Sequence, residues 1–211
     1  MKKKIMIIDY GCGNVESVKR AFEKINKECL ISSELNELTS ATHLILPGVG
    51  AFKNAMQKLK EKKFYDLILA HYKKNKPLLG ICLGMQLLFT KSYEFGESDG
   101  LNIIDGDVVK LENDQSNEFK VPNIGWYNLI KNENVNKNNE QNILHSGEYY
   151  HVHSFFCRPK EKENITHNIL FNEKKICVAY RKKNVLGVQF HPEKSRKFGL
   201  EFLSFFENLD Y

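Results

Sequence analysis

The stretch PLLGICLGMQLLF, residues 77–89, decides the fold because it reads as a buried strand, a tight turn and the start of a helix. Gly80 and Gly84 flank a cysteine at the turn, and this Gly-x-nucleophile-x-Gly spacing is that of a nucleophile elbow. Such a turn strains the backbone of its middle residue, and glycines remove the Cβ atoms that would clash there. The free N–H groups at a helix N-terminus favour a thiolate. The spacing therefore predicts that Cys82 is a reactive thiol, although an isolated cysteine is more often inert core.

A candidate base follows a second apolar run, residues 185–190, which reads as a buried strand. His191 comes directly after it, and ligands bind at the carboxyl ends of strands in open α/β sheets. Glu193 is two residues further and shares a face with His191 if the extended geometry continues. Its carboxylate would then hold the imidazole tautomer, as the third member of a catalytic triad does. The other histidines are taken first as structural residues: His43, His71, His145, His151, His153 and His167.

A glycine-rich turn after a third strand, residues 43–46, supplies a candidate oxyanion hole. In LPGVGAF, residues 46–52, two glycines allow backbone N–H groups to point at a developing negative charge. The N–H of Leu83, directly after the cysteine, would be a second donor. Taken alone, the segment fits an ordinary strand-to-helix turn equally well.

Together these segments resemble the class I, or triad-type, glutamine amidotransferases. The motifs that carry the resemblance are GICLGMQLLF, GVQFHPEKS and LPGVGAF. Three further segments make the chain similar to the glutaminase subunits of imidazole glycerol phosphate synthases of the histidine pathway. These are IDYGCGN at 8–14 with its following Ser17-Val18, VPNIGW at 121–126 and YYHVHS at 149–154. The likeness extends over essentially the whole chain.

The resemblance implies a role for each matching residue. Cys82 would attack the side-chain amide of L-glutamine, His191 would transfer protons, and Glu193 would orient His191. The oxyanion hole would be lined by Val49, Gly50 and Leu83. The glutamine-binding residues would be Gln86, Glu94, Tyr150, His153 and Ser154. The family uses no cofactor and no metal in this reaction.

The resemblance also implies a partner subunit. The thiolate would form a covalent glutamyl thioester that water hydrolyses, and the ammonia released would lose its nucleophilicity on protonation in water. The expected partner is a (β/α)8-barrel cyclase, docked as a heterodimer, which uses the ammonia to make imidazole glycerol phosphate and AICAR in L-histidine biosynthesis. The oxyanion hole is expected to stay unformed until activation, when the backbone of residues 47–50 turns.

Three positions depart from the subfamily pattern. Asn123 stands where His is usual and Tyr127 where Asn is usual, in a segment expected, with Trp126, to face the partner. His151 stands where an apolar residue is usual. The triad is intact, so these departures concern the partner and not glutamine hydrolysis. Two alternatives stay open: a paralogue that supplies ammonia to amidate a surface-polysaccharide sugar, and a catalytically inactive scaffold subunit.

Length and composition fit one α/β domain, residues 1–211, with a large core. The net charge of +5 comes from lysines scattered among acidic residues, which favours a solvated surface over a nucleic-acid footprint. Five cysteines without a C-x-x-C pair argue against a disulfide framework and a zinc site, and favour a reducing cytoplasm. No apolar run reaches the length of a membrane span, and the N-terminal run is too short for a signal peptide.

Strands and helices are predicted to alternate as far as Phe95. Strands are predicted at 4–9, 28–32, 43–46 and around 78, and helices at 15–25, 51–74 and after Cys82. This order predicts an open, largely parallel, twisted sheet with helices on both faces, in line with the flavodoxin-like core that the resemblance implies. Added antiparallel strands are predicted at 107–111, 126–130, 149–157, 169–171, 176–181 and 185–190. An asparagine-rich mobile loop is predicted at 132–142 and a closing helix at 195–209.

Overall fold

The computed structural model describes residues 3–112, 120–133 and 144–210. In its first half, short buried strands alternate with helices. The strands are β1 (Ile5–Ile8), β2 (Cys29–Ser32), β3 (His43–Leu46) and β4 (Leu78–Ile81). The helices are α1 (Val15–Lys24), α2 (Leu35–Thr39), α3 (Phe52–Glu61), α4 (Phe64–Lys73) and α5 (Leu83–Leu87). Every residue of β1, β3 and β4 is buried, as expected of parallel strands covered on both faces.

The second half is rich in strands. They are β5 (Phe89–Ser92), β6 (Ser98–Asp99), β7 (Ile104–Lys110), β8 (Asn123–Asn128), β9 (Ile130–Lys131), β10 (Glu148–His153), β11 (Phe155–Pro159), β12 (Ile165–Phe171), β13 (Lys174–Lys182) and β14 (Val185–Val188). The closing helix is α6 (Arg196–Asn208). In the three described ranges, no helix is both long enough and apolar enough to cross a membrane.

Twelve of the described strands form one sheet, in the order β2-β1-β3-β4-β14-β13-β11-β7-β5-β6, with β12 also paired to β13 and β9 paired to β12. The neighbours from β2 to β14 pair in parallel. From β14 through β13 and β11 to β7 the pairing is antiparallel. The predicted α/β sheet with antiparallel additions is confirmed.

The alternation of side chains along β1 divides the core between the two faces of the sheet. Met6 and Ile8 pack in a cluster with α3 and α4, whereas Ile5 and Ile7 pack in a cluster with α1 and α6. Helices therefore cover both faces. Because β1, β3, β4 and β14 pair in parallel, their carboxyl ends meet at one edge, which is where an open parallel sheet binds its ligands.

Three details differ from the prediction. The predicted strand 149–157 is broken at Ser154 into β10 and β11. Only β11 joins the large sheet, and β10 pairs with β8 in a separate antiparallel ribbon. The helix after Cys82 ends at Leu87, because Phe89 begins β5, and α2 was not predicted. Apart from Asn132 and Glu133, the predicted mobile loop lies outside the described residues.

Candidate active site

Cys82 lies in the turn between β4 and α5 with strained backbone angles, φ 54° and ψ −111°. The flanking glycines are required by close backbone packing. A Cβ on Gly84 would lie 1.8 Å from the carbonyl oxygen of Leu46, and a Cβ on Gly80 would lie 2.7 Å from the carbonyl oxygen of Gly84. This geometry is that of a nucleophile elbow. It holds the thiol at the carboxyl edge of the sheet, between β3 and β14.

His191 reaches the same edge from β14, which pairs in parallel with β4. The N–H of Cys82 donates to the carbonyl of Val188, 2.8 Å away, and this bond ties the elbow to the end of β14. The Nδ1–H of His191 donates to Oε1 of Glu193 at 2.7 Å, and both side chains are buried. The extended geometry expected beyond His191 is wrong, because Pro192 begins a 3₁₀ turn (Pro192–Lys194) that brings Glu193 back to the imidazole.

The electrostatics of the site favour a charged imidazole. Burial lowers the pKa of His191, but the Cys82 thiol and the Glu193 carboxylate outweigh this effect and raise the pKa to about 10. The second ring nitrogen, Nε2, is buried and has no hydrogen-bond partner of ordinary geometry among the residues that the structure describes. An imidazolium between a carboxylate and a thiol can stabilise a thiolate and hold a proton ready for a leaving group.

A glutamine that the sequence analysis did not assign also contacts the nucleophile. Gln189 is fully buried, and its amide Nε2 lies 3.7 Å from Sγ of Cys82. Its Oε1 accepts a hydrogen bond of 3.1 Å from Gln86, which also donates to the carbonyl of Phe155 at 3.1 Å. The available signal was a single amide side chain in an otherwise apolar strand, two residues before His191.

A cavity of about 290 Å³ lies beside Cys82 and His191. Its walls include all three residues expected in the oxyanion hole and four expected to bind glutamine: Val49, Gly50, Leu83, Gln86, Glu94, His153 and Ser154. Pro122, Val152 and Phe155 also line it and were not predicted. A cavity of this size suits a ligand as small as one free amino acid.

Two of the expected glutamine ligands have additional or different contacts. Glu94 faces the cavity, and its Oε2 also accepts a hydrogen bond of 2.6 Å from the backbone N–H of Phe52, at the start of α3. Tyr150 does not line the cavity, because its ring packs against Trp126 with the centroids 5.6 Å apart. Its backbone carbonyl instead accepts from the N–H of His191 at 2.9 Å, so Tyr150 supports the triad through its main chain.

The inner face of the β8–β10 ribbon carries the three departures from the subfamily pattern. Asn123 is only 1% exposed, and its amide donates to Nε2 of His153 at 3.2 Å. Nε2 of His153 accepts this bond while its Nδ1–H donates to the carbonyl of Phe155, so the ring is neutral, and burial lowers its pKa to about 4. His151 is fully buried and lies edge-on to Tyr127 at 5.5 Å. The side chains of Asn123 and Tyr127 point into this cluster, and the expectation that their segment faces a partner stays a prediction.

The outer face of the ribbon is apolar with a basic rim. Ile124 is 58% exposed and Trp126 is 37% exposed. The guanidinium of Arg196 lies 4.5 Å from the centre of the Trp126 ring, and Nζ of Lys194 lies 5.5 Å from that of Tyr150. Of the three residues expected to face a partner, Trp126 alone presents its side chain to this surface.

Comparison with known proteins adds a family and a fold. The family model described as glutamine amidotransferase class-I matches residues 6–207. The chain is 38% identical to the imidazole glycerol phosphate synthase subunit HisH of Chlorobaculum tepidum, over 96% of this chain and 98% of that one. It is 41% identical to HisH of Syntrophotalea carbinolica, over 97% and 100%, and 42% identical to HisH 2 of Methanococcus maripaludis, over 96% and 98%.

Solved structures share the fold at low sequence identity. A crystal structure of a glutamine amidotransferase superimposes with a TM-score of 0.72 at 17% identity, covering 96% of each chain. The structure of PurLQS from Thermotoga maritima gives a TM-score of 0.67 at 16% identity, covering 97% of this chain and 99% of that one. With the elbow, the buried His–Glu pair and a family match over nearly its whole length, the chain belongs to the class-I glutamine amidotransferase family.

Proposed function

We propose that this chain is the glutaminase subunit of an imidazole glycerol phosphate synthase, folded as one amidotransferase domain and acting in the cytoplasm. The observation that carries the proposal is the buried triad of Cys82, His191 and Glu193 beside a cavity of amino-acid size. Relatives that carry this synthase name match over nearly the full length of both chains. The substrate would be L-glutamine and the products glutamate and ammonia.

The first half of the reaction uses the charged imidazole. Sγ of Cys82 attacks the side-chain amide carbon of glutamine, and the carbonyl oxygen becomes an oxyanion held by the N–H groups of Leu83 and the segment Val49–Gly50. As the C–N bond breaks, His191 gives its proton to the departing nitrogen, which leaves as ammonia. The enzyme is then a glutamyl thioester with a neutral imidazole.

The second half reverses the proton transfer. His191 takes a proton from water, the hydroxide attacks the thioester carbon, and the C–S bond breaks to release glutamate and restore the Cys82 thiolate beside the charged imidazole. Glu193 accepts the hydrogen bond from Nδ1–H and keeps that nitrogen protonated, so that Nε2 is the nitrogen that exchanges protons. None of these steps needs a metal or a cofactor.

The partner would be a (β/α)8-barrel cyclase that receives the ammonia. We place it on the outer face of the β8–β10 ribbon, because Trp126 and Ile124 are exposed there and the ribbon borders the cavity. A large aromatic side chain surrounded by polar groups is typical of an interface centre. Arg196 and Lys194 at the rim favour acidic side chains on the partner.

The clustering of the three departures weighs against a different acceptor. Asn123, Tyr127 and His151 lie together on the inner face of the ribbon, where the Tyr127 and His151 rings are in contact. They leave the outer face unaltered, so they give no reason to propose a new partner. The surface-sugar alternative is retained as an outcome of the experiment.

The test is glutamine hydrolysis by the purified chain with the histidine-pathway cyclase, with and without the nucleotide ligand of that cyclase. Strong stimulation that Cys82→Ala abolishes is the expected result. Activity that depends on Cys82 but ignores the cyclase would direct the search to a sugar-amidating synthase. Hydrolysis that survives in Cys82→Ala would refute the proposed mechanism, and a lack of activity in every mixture would favour the scaffold alternative.

A further inference from the structure

We infer that Tyr10 is a positioning residue for the oxyanion hole. It acts through a hydrogen bond from its hydroxyl that fixes the backbone carbonyl of Pro47. This inference rests on the proposed glutaminase function. Tyr10 lies directly beyond the end of β1, in the motif IDYGCGN, and makes no contribution to the chemistry described above. Its side chain is 1% exposed, and its hydroxyl donates to the carbonyl oxygen of Pro47 at 2.8 Å.

The hydroxyl of Tyr10 is a donor at every pH at which the enzyme would work. Burial, with the neighbouring thiols of Cys12 and Cys82, raises its pKa well above the ordinary value. Deprotonation is thereby disfavoured, and a protonated hydroxyl facing a carbonyl can only donate. The carbonyl of Pro47 is therefore fixed in direction by a buried hydrogen bond, whose loss would leave that oxygen without this partner.

The glycine after Pro47 shows how closely the segment is held. A Cβ on Gly48 would lie 2.7 Å from the Tyr10 hydroxyl and 2.9 Å from Cβ of Leu83. The backbone at Gly48 thus passes between Tyr10 and the residue that follows the nucleophile. The contact links the tyrosine directly to both expected sources of oxyanion donors, the glycine-rich segment and the elbow.

The far end of the segment has an anchor of its own. The N–H of Phe52 donates to the Glu94 carboxylate at 2.6 Å. Between the two anchors, Val49 is 46% exposed, and Gly50 has φ +98° with no atom within 4 Å of the place a Cβ would occupy. Val49 and Gly50 are therefore less closely packed than the two anchored ends. With the Tyr10 bond removed, the fixed end at Pro47 would loosen and the N–H donors would lose their alignment with the nucleophile.

The experiment compares Tyr10→Phe with wild type in the complex with the cyclase and its nucleotide ligand. Removal of one oxyanion-hole donor typically lowers kcat by about 100- to 1000-fold, and partial misalignment should lower it by about ten-fold. KM should change less than about two-fold, because Tyr10 does not line the cavity. Alkylation of Cys82 by iodoacetamide should keep its wild-type rate, since displacement of iodide develops no oxyanion.

Tyr180→Phe is the matched control. Tyr180 is equally buried and its hydroxyl is hydrogen-bonded, to Glu161 at 3.2 Å and to the amide of Asn164 at 3.4 Å, but it lies away from the cavity. The variant should lose stability to a similar degree and keep its kcat. If Tyr10→Phe does not fold, Gly48→Ala replaces it, because the added methyl would displace the Tyr10 hydroxyl. The methyl would also meet Leu83 at 2.9 Å and the backbone nitrogen of Gly84 at 3.0 Å, so this variant is interpreted only if the alkylation rate of Cys82 is unchanged.

The inference is overturned if kcat of the folded variant equals that of wild type or of Tyr180→Phe. It is also overturned if hydrolysis and alkylation fall together, since the thiol itself would then be disturbed. Failure of the proposed function is a separate outcome, recognised by hydrolysis that persists in Cys82→Ala.

Discussion

Replacement of Gly84 by alanine is the sharpest test of the elbow. The added Cβ would lie 1.8 Å from the carbonyl oxygen of Leu46, whereas Cβ atoms in proteins essentially never approach a heavy atom within 3.0 Å. The obstacle is backbone in the buried strand β3, so the elbow must move by at least about 1.2 Å relative to its neighbour. Overpacking of this kind costs up to about 3 kcal/mol. In a domain of this size that corresponds to a fall in Tm of about 6–12 °C.

The same displacement should damage catalysis. A misplacement of about 1 Å in a catalytic group costs about 100-fold in rate, so glutamine hydrolysis with the cyclase should fall by at least that factor at a temperature where the variant is folded. Gly125→Ala is the control, because its Cβ would meet only the Tyr127 ring, at an ordinary 3.4 Å. A Gly84→Ala variant with the Tm and activity of wild type would refute the close approach of elbow and strand.

Three further predictions address the base, the ribbon and the partner surface. Glu193→Gln removes one of the groups that raise the pKa of His191, so the imidazole should lose its charge at a pH below the wild-type pKa of about 10. NMR titration of the ring would measure this pKa, and an unchanged pKa would contradict the electrostatic role of Glu193. His151→Phe replaces a buried imidazole whose two ring nitrogens have no hydrogen-bond partner in the described part of the chain, and should raise stability in denaturant by about 1 kcal/mol. A loss of stability would show that His151 has a polar function. Trp126→Ala should weaken cyclase binding by about 30-fold, the effect of losing about 2 kcal/mol, while glutamine hydrolysis without the cyclase is unchanged. Calorimetry would measure the affinity, with Leu170→Ala as an exposed control on another strand, and equal affinities for the two variants would exclude Trp126 from the interface.

The catalytic motifs could be located from the sequence because their geometry is local. Gly80 is required by the turn itself, because a Cβ there would lie 2.7 Å from the carbonyl oxygen of Gly84. Gly84 is required by a contact with another strand, because its Cβ would meet the carbonyl oxygen of Leu46 in β3. The Nδ1–Oε1 contact of His191 and Glu193 also spans only two residues. Its cause was nevertheless misjudged, since a 3₁₀ turn and not an extended strand brings the carboxylate to the ring.

The β8–β10 ribbon shows what the sequence leaves undecided. A shared motif predicts that Asn123, Trp126 and Tyr127 face a partner together. Successive residues of a strand point to opposite faces, so Trp126 and Tyr127 cannot both present their side chains to one surface. The alternation was visible in the sequence, but which face is buried depends on packing against distant residues such as Phe190, whose ring lies 5.9 Å from that of His151. The break of the predicted strand 149–157 at Ser154 was not visible in the sequence either, because apolar residues continue on both sides of Ser154.

The arrangement of strands explains why the site needs the whole sheet. Cys82 and His191 are more than a hundred residues apart, and they meet only because β4 and β14 pair in parallel, with Gly80 opposite Gly187 and Ile81 opposite Val188. A slip of one residue in this register would turn every side chain of β14 to the other face. It would also break the bond from the N–H of Cys82 to the carbonyl of Val188. Register is held by buried apolar residues on both faces of these strands, so the core that stabilises the fold also sets the distance between nucleophile and base.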